Sequence, residues 1–315
     1  MKILIITPAA ARSRHGNRNT AARWATMLRA LGHRVVVQVE WSGAAADVMI
    51  ALHARRSHDS IRRFSCLYPE RPLVVALTGT DLYRDIRIDA AARESLRLAT
   101  RMVVLQDMGL NELSLAWRKK TRVIYQSASR ISPRPPLKSC FEVTVSGHLR
   151  EEKDPFRAAA ALAHLPAASR IRLTHLGGAL SPDMARQAEQ WQASEPRYRW
   201  LGELAHWQAV RILARSRLMV ISSRMEGGAN VVSEALAAGV PVIASRIAGN
   251  IGMLGKDYVG YYPPEDERAL AGLLWRAESD LLFYRRLRAQ CAARKRLVSP
   301  RLEKTALKKL LAELA

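Results

Sequence analysis

The sequence predicts an α/β protein made of two successive halves, each a parallel sheet wrapped by helices. Three observations carry that prediction. Short aliphatic runs alternate with longer stretches of helical spacing. None of the runs approaches membrane-spanning length. The alternation halts at a proline cluster and then begins again, as it would at the seam between two α/β layers.

In the first half the candidate strands lie in KILIIT, VVVQV, DVMIAL, PLVVALTGTD and MVVLQ. A helix from about Thr20 shows an apolar face at Ala21, Trp24, Ala25, Leu28 and Leu31, and Gly32 ends it as a left-handed cap would. After RVIYQSA, the segment SPRPPLK carries three prolines in seven residues, which excludes a helix or an inner strand and marks a linker at 132–138. The second half follows with FEVTVSG, an alanine-rich helix near Phe156 to His164, then IRLTHLGG, YRWLGEL, LMVISS and PVIAS. The expected division is an N-terminal domain over 1–131, a C-terminal domain over 139–290 and a basic helical tail over 291–315. In the tail Leu302, Ala306, Leu310 and Leu314 recur at helical spacing; it reads as a helix packed on the body or as one lying on a membrane surface.

The 315 residues, 49% of them hydrophobic, suffice for two packed domains. Fifty Lys and Arg against 28 Asp and Glu give a formal charge of +22, so the surface attracts polyanions, acidic lipid or phosphorylated small molecules without choosing among them. A nucleic-acid partner is not expected: there is no recognised module, and 6% aromatic content makes no stacking groove. A weak peripheral membrane contact stays open. Three distant cysteines, Cys66, Cys140 and Cys291, fit neither a disulfide framework nor a metal site and point to a reducing cytoplasm. The four-residue aliphatic run near the start is too short for a signal peptide. No DxD triplet and no G-x-G-x-x-G occur, so neither a divalent metal nor a nicotinamide or flavin cofactor is expected.

The chemistry concentrates in EGGANVVSEALAAGVPVIAS, which starts at Glu226. LMVISS should end near Ser223, placing Arg224 to Ala229 in the turn at the carboxyl end of a strand, where open α/β sheets bind ligands. Gly227 and Gly228 remove side chains where a helix begins, leaving the amides of Ala229, Asn230 and Val231 to face an anion such as a diphosphate. A helix start contributes only roughly 0.3 to 2 kcal/mol to holding an anion, so further donors are required. Glu226 is placed to accept from sugar hydroxyls, and Glu234, one turn beyond Asn230 on the same face, to take the two hydroxyls of a ribose. The plainer alternative sets Glu226 against the helix dipole and Glu234 in solvent. The glycine pair, the preceding strand and the downstream ASRIAGNIGMLG favour the ligand reading.

The E-x7-E spacing followed by EALAAGVPVIAS resembles the donor-site signature of retaining, family 4-like GT-B glycosyltransferases. LHARRS, RVIYQSA and VSGHLREEKDP extend the likeness almost end to end. The resemblance implies two Rossmann-like domains facing across a cleft, with a UDP-sugar on the C-terminal one. In that family an Arg and a Lys of the VSGHLREEKDP loop clamp the diphosphate. Lys153 falls on the lysine position, His148 occupies the arginine position, and Arg150 is a candidate substitute; an ordinary surface lysine is the alternative for Lys153. The implied catalytic residues are Glu226, Lys153 and Arg150. Donor binding falls to Gly147, His148, Gly227, Gly228, Ala229, Asn230, Val231 and Glu234. The family's N-terminal domain usually offers a His near the sugar; this chain has Gly79 and Thr80 there, so the acceptor chemistry is expected to differ. Acceptor candidates are Thr78, Gly79, Thr80 and Asp81, with Gly16, Asn17, Arg18, Asn19 and Thr20 at the mouth of the first helix. Asp81 serves equally as a local helix cap, as do Asn19 or Thr20.

The combination HGNRNTAARW, LHARRS, ALTGTDLYRDI, VVLQ, EGGAN through GMLG, and DYVGYYPPED resembles a narrower group, the selenosugar synthases of selenoneine biosynthesis. That resemblance implies selenophosphate attacking C1 of a UDP-sugar, UDP-N-acetylglucosamine being the expected donor. An anionic selenium nucleophile needs no strong general base, which suits the missing His. The rival expectations are a transferase acting on a lipid, polyol or other small acceptor, an epimerase of the UDP-sugar itself, and a polyanion-binding protein.

Overall fold

The computed structural model describes residues 1–8 and 16–314; His15, the first residue of HGNRNTAARW, lies outside them. The chain forms two compact units. The first comprises Met1–Ser127, the short stretch Glu226–Ala229 and everything from Ser299 onward; the second comprises Ala128–Met225 and Asn230–Val298. The linear boundaries expected from the sequence contain neither of the two returns to the first unit.

The first unit holds a parallel sheet of β1 (Lys2–Ile6), β2 (Arg34–Gln38), β3 (Val48–Leu52), β4 (Leu73–Leu77), β5 (Arg101–Val104) and β6 (Thr121–Val123), in the order β2-β1-β3-β4-β5-β6. VMIAL and LVVAL are buried at every position, as strands covered on both faces must be. One face packs Trp41, Phe64 and Leu82. The other packs Trp24 and Leu28 of helix Gly16–Arg29 against Leu307, Leu310 and Leu311 of helix Pro300–Ala312.

Two details differ from expectation. Helix Gly16–Arg29 begins four residues before Thr20, so Asn19 and Thr20 sit inside its first turn rather than capping it. The Thr20 hydroxyl donates to Gly16 O at 3.0 Å and accepts from Gln126 Nε2 at 2.6 Å. In the last helix Leu310 is buried and Ala306 and Leu314 pack beside it as the spacing predicts, but Leu302 is 49% exposed and the rest of the buried face is carried by Glu303, Leu307 and Leu311. Glu303 is 2% exposed. Its carboxylate accepts from Trp24 Nε1 at 2.7 Å, from Arg23 Nε at 3.0 and 3.1 Å, from Ser127 N at 2.8 Å and from the Ser127 hydroxyl. A carboxylate one position beyond the start of the apolar row thus ties the last helix to the first helix and to Ser127 within the first unit.

The second unit holds β7 (Phe141–Ser146), β8 (Ile171–Leu176), β9 (Tyr198–Trp200), β10 (Leu218–Ile221), β11 (Val242–Ser245) and β12 (Tyr261–Tyr262), parallel and ordered β12-β11-β10-β7-β8-β9. The two-residue β12 was not foreseen as a strand. Helix Asn230–Ala238 buries Ala235, Leu236 and Ala238 and stops at Gly239, whose φ of 74° matches the left-handed stop read from the sequence; Gly32, at 88°, does the same for the first helix. Among the described residues no helix is long and apolar enough to cross a membrane, and no group of three or more His, Cys, Asp or Glu is arranged to hold a metal ion.

Candidate functional site

In the second sheet the chain runs outward from β7 through β8 to β9, then returns to lay β10 on the other side of β7. Beyond the carboxyl ends of β7 and β10 lies the topological switch point, where an open α/β sheet leaves a crevice. A small, partly open pocket occurs there, lined by Gly147, His148, Lys153, His175, Ser222 and Ser223 among others.

The loop bearing Lys153 is built rather than loose. Glu151–Lys153 form one tight turn, and Asp154 closes it in the left-handed region at φ 43°. The Ser222 hydroxyl donates to Lys153 O at 3.0 Å and Asp154 O at 2.8 Å, while Arg224 N donates to Glu152 O at 2.9 Å. The Asp154 carboxylate accepts from Arg157 Nε at 2.8 Å. The end of β10 therefore staples the turn that presents Lys153.

The Gly147 part of the lining rests on His175, which in the sequence is only one position of a strand. It is 1% exposed and meets Tyr198 Oη through Nδ1 at 3.0 Å, and it is hydrogen-bonded to the backbone of Gly147. Burial pushes its pKa down to about 4 against the opposing pull of the Gly147 bond, so the ring is neutral. A neutral ring has one donor: with Tyr198 O–H donating to Nδ1, the N–H on Nε2 serves the Gly147 carbonyl. Gly177, at φ 144°, completes the wall, because a Cβ there would overlap the Gly147 carbonyl oxygen and lie 2.9 Å from His148 N. The signal was present in IRLTHLGG, a polar ring in a core strand followed by a glycine pair.

The remaining donor-side candidates spread over both units. Half-buried His148 lies against Gly178 together with Glu203, and Arg150 is half-buried one residue before the tight turn. Asn230 and Val231 open helix Asn230–Ala238, and Glu234, 19% exposed, lies 3.8 Å from His206 Nδ1. Glu226, Gly227, Gly228 and Ala229 group with the first unit. There a Cβ on Gly227 would come 2.8 Å from Gly79 N, and closer still to the Thr78 carbonyl, and one on Gly228 would come 2.6 Å from Leu105 Cβ. Close backbone approach therefore demands both glycines, a steric reason beyond the exposed amides read from the sequence. Buried Glu226, after burial itself and Glu112, helps to push the Tyr83 phenol far above its ordinary value.

On the acceptor side, Thr78, Gly79 and Thr80 are half-buried at the end of β4. Asp81 is fully buried, its carboxylate taken by Thr78 N and Gly79 N at 2.9 Å and by Ala54 N at 3.0 Å, which makes it a tie between the ends of β3 and β4. Gly16 and Asn19 are exposed, Asn17 and Arg18 half-buried, and Thr20 buried in its hydrogen bonds.

Two parallel six-stranded sheets, each wrapped by helices and the second carrying a pocket at its switch point, define a GT-B glycosyltransferase architecture. The family model of the glycosyl transferases group 1 matches residues 134–296, just over half of the chain, and the chain belongs to that family. Similar solved structures share the fold at low identity. Anabaena HepE in complex with UDP-glucose is 17% identical at a TM-score of 0.78, covering 100% of this chain and 99% of that one. Sucrose-phosphate synthase from Thermosynechococcus elongatus is 16% identical at 0.81, covering 99% and 98%. The lipopolysaccharide outer core galactosyltransferase WaaB is 14% identical at 0.68, covering 99% of each chain. Among curated protein sequences none matches the chain.

Proposed function

We propose that the protein transfers a sugar from a UDP-sugar, UDP-N-acetylglucosamine, to selenophosphate, the reaction of a selenosugar synthase in selenoneine biosynthesis. The observation that carries the donor half is the stapled pocket at the switch point of the second sheet, lined by Lys153 and the Gly147–His148 backbone. HepE bound to UDP or UDP-glucose supports the same donor class. The acceptor half rests on the whole-chain resemblance described above.

In the reaction the selenium lone pair attacks C1. The bond from C1 to the diphosphate oxygen breaks, and its electron pair leaves on UDP. Water then cleaves the Se–P bond, giving the selenosugar and phosphate. Lys153 and Arg150 meet the charge developing on the leaving diphosphate, with the amides of Ala229, Asn230 and Val231, while Glu226 and Glu234 hold the sugar and the ribose. Gly147, His148, Gly227 and Gly228 shape the backbone around the donor. Gly16 to Thr20 and Thr78 to Asp81 serve the acceptor. No cofactor or metal takes part, and the three free cysteines suit a cytoplasmic location.

The test incubates pure protein with UDP-N-acetylglucosamine, with and without selenophosphate, and identifies products by mass spectrometry. The expected result is selenosugar, UDP and phosphate only when both substrates are present. UDP formation indifferent to selenophosphate would refute the acceptor. The charge of +22 favours a second reading, transfer to a lipid or another small acceptor; glycosylation of a lipid extract by protein recovered in washed membranes would select it.

A further inference from the structure

We propose that His53 is a positioning residue that fixes the hydroxyl of Thr80 for the acceptor, a step that rests on reading the first unit as the acceptor half. His53 directly follows β3, where the first sheet changes direction between β1 and β3, so it stands at that sheet's own switch point. Its φ of 73° is left-handed, a conformation shared among the described non-glycine residues only by Asp154 and Glu265, and such backbone persists only where the surroundings enforce it. They do. His53 N donates to Ala76 O at 2.8 Å, Ser57 N donates to His53 O at 3.1 Å, and the ring is enclosed, the residue being 3% exposed.

The ring orientation follows from the backbone. Nδ1 accepts from Arg56 N at 3.3 Å, so the ring proton sits on Nε2, which lies 3.1 Å from Thr80 Oγ1. Because Thr80 accepts there, its own O–H is left to donate elsewhere. Behind the pair, buried Asp85 lies 4.0 Å from Nε2, with its charge met by Arg84 Nε at 3.0 Å and Arg55 at 4.0 Å. Asp81 pins the backbone on the near side of Thr80 through the Thr78 and Gly79 amides, and a single π-type turn, Asp81–Asp85, continues from it. An otherwise rotatable hydroxyl is thus given one donor direction, which an anionic acceptor requires and which the sequence of the loop alone does not supply.

The test uses the full chain with UDP-N-acetylglucosamine and selenophosphate, each varied separately. His53→Gly accepts the left-handed backbone and removes the ring, and should raise the selenophosphate KM about tenfold while leaving the donor KM unchanged. Thr80→Val should do the same, and the double variant should be no worse than either single one. His53→Gln, which keeps a nitrogen donor at similar reach, should restore most of the loss. Circular dichroism and calorimetric UDP affinity should match the parent throughout. An unchanged acceptor KM in His53→Gly, additive effects in the double variant, or a change confined to the donor KM would overturn the assignment while leaving the transferase reading intact. If the parent protein itself binds no UDP, the functional reading fails and the assignment with it.

Discussion

Replacing Gly177 by alanine tests the donor-side wall most directly. A Cβ at this position would overlap the Gly147 carbonyl oxygen by about 1 Å, since real Cβ atoms stay at least 3.0 Å from their neighbours. The obstruction is backbone, so no side chain can swing away, and φ 144° adds strain for any residue with a Cβ. Gly147 cannot yield alone, because its amide donates to Leu176 O at 2.8 Å and His175 holds its backbone. The Gly147–His148 loop must therefore shift by about 1 Å, and misplacement on that scale costs a donor site roughly a hundredfold in rate. The assay is steady-state kcat/KM with UDP-N-acetylglucosamine, alongside UDP affinity by calorimetry and thermal melting of the second unit. The expected pattern is a large loss of kcat/KM with a folded protein. A variant with parental UDP affinity and turnover would refute the claim that Gly147 is held in a working position.

Other outcomes follow from the same physics. His175 has its pKa lowered from 6.5 to about 4, so the unfolded chain binds the extra proton between those values; its stabilisation is complete above pH 6.5 and drains away as pH falls toward 4, with a ceiling of about 3 kcal/mol. His175→Gln should flatten that part of the stability profile, and an identical acid slope in the variant would count against it. Glu303→Ala leaves Trp24 Nε1 and Ser127 N without their acceptor and should weaken the first unit by about 3 to 5 kcal/mol, read as a lower urea midpoint; an unmoved midpoint contradicts the proposed tie. Glu234→Ala should raise the apparent donor KM with little change in melting temperature, and an unchanged constant would remove its ribose role. Turnover should survive a chelator, since the charge on the diphosphate is assigned to Lys153, Arg150 and amides; loss of activity in chelator, restored by a divalent ion, would contradict that assignment.

Local order was legible in the sequence because it is written locally. KILII, VMIAL and LVVAL declare buried strands, Gly32 and Gly239 declare helix stops, and SPRPPLK separates two alternating series. The Lys153 turn and the Gly147 loop were reached through a family likeness rather than through spacing. Long-range returns were not legible. Nothing in the run around Glu303 tells that its carboxylate will meet Arg23, 280 positions away; helical spacing finds Ala306, Leu310 and Leu314 on the packed face but adds exposed Leu302 in place of Glu303. Gly227 and Gly228 were read as baring amides, whereas their crowding against Thr78, Gly79 and Leu105 appears only once separate stretches of chain are brought together. His53 and His175 escaped notice because an isolated histidine at the edge of, or inside, an apolar run carries no periodic signal; only its partners reveal its work.

The last helix has a consequence for how the polypeptide is made and cut. Leu307, Leu310 and Leu311 complete a layer begun by Trp24 and Leu28, so that layer cannot close until synthesis has passed residue 311. Until then a nascent N-terminal half presents an uncovered greasy groove, inviting chaperones or self-association. Anyone splitting the gene at the proline-rich joint, or grafting one half onto a homologue, would need to carry the closing segment along with the opening one.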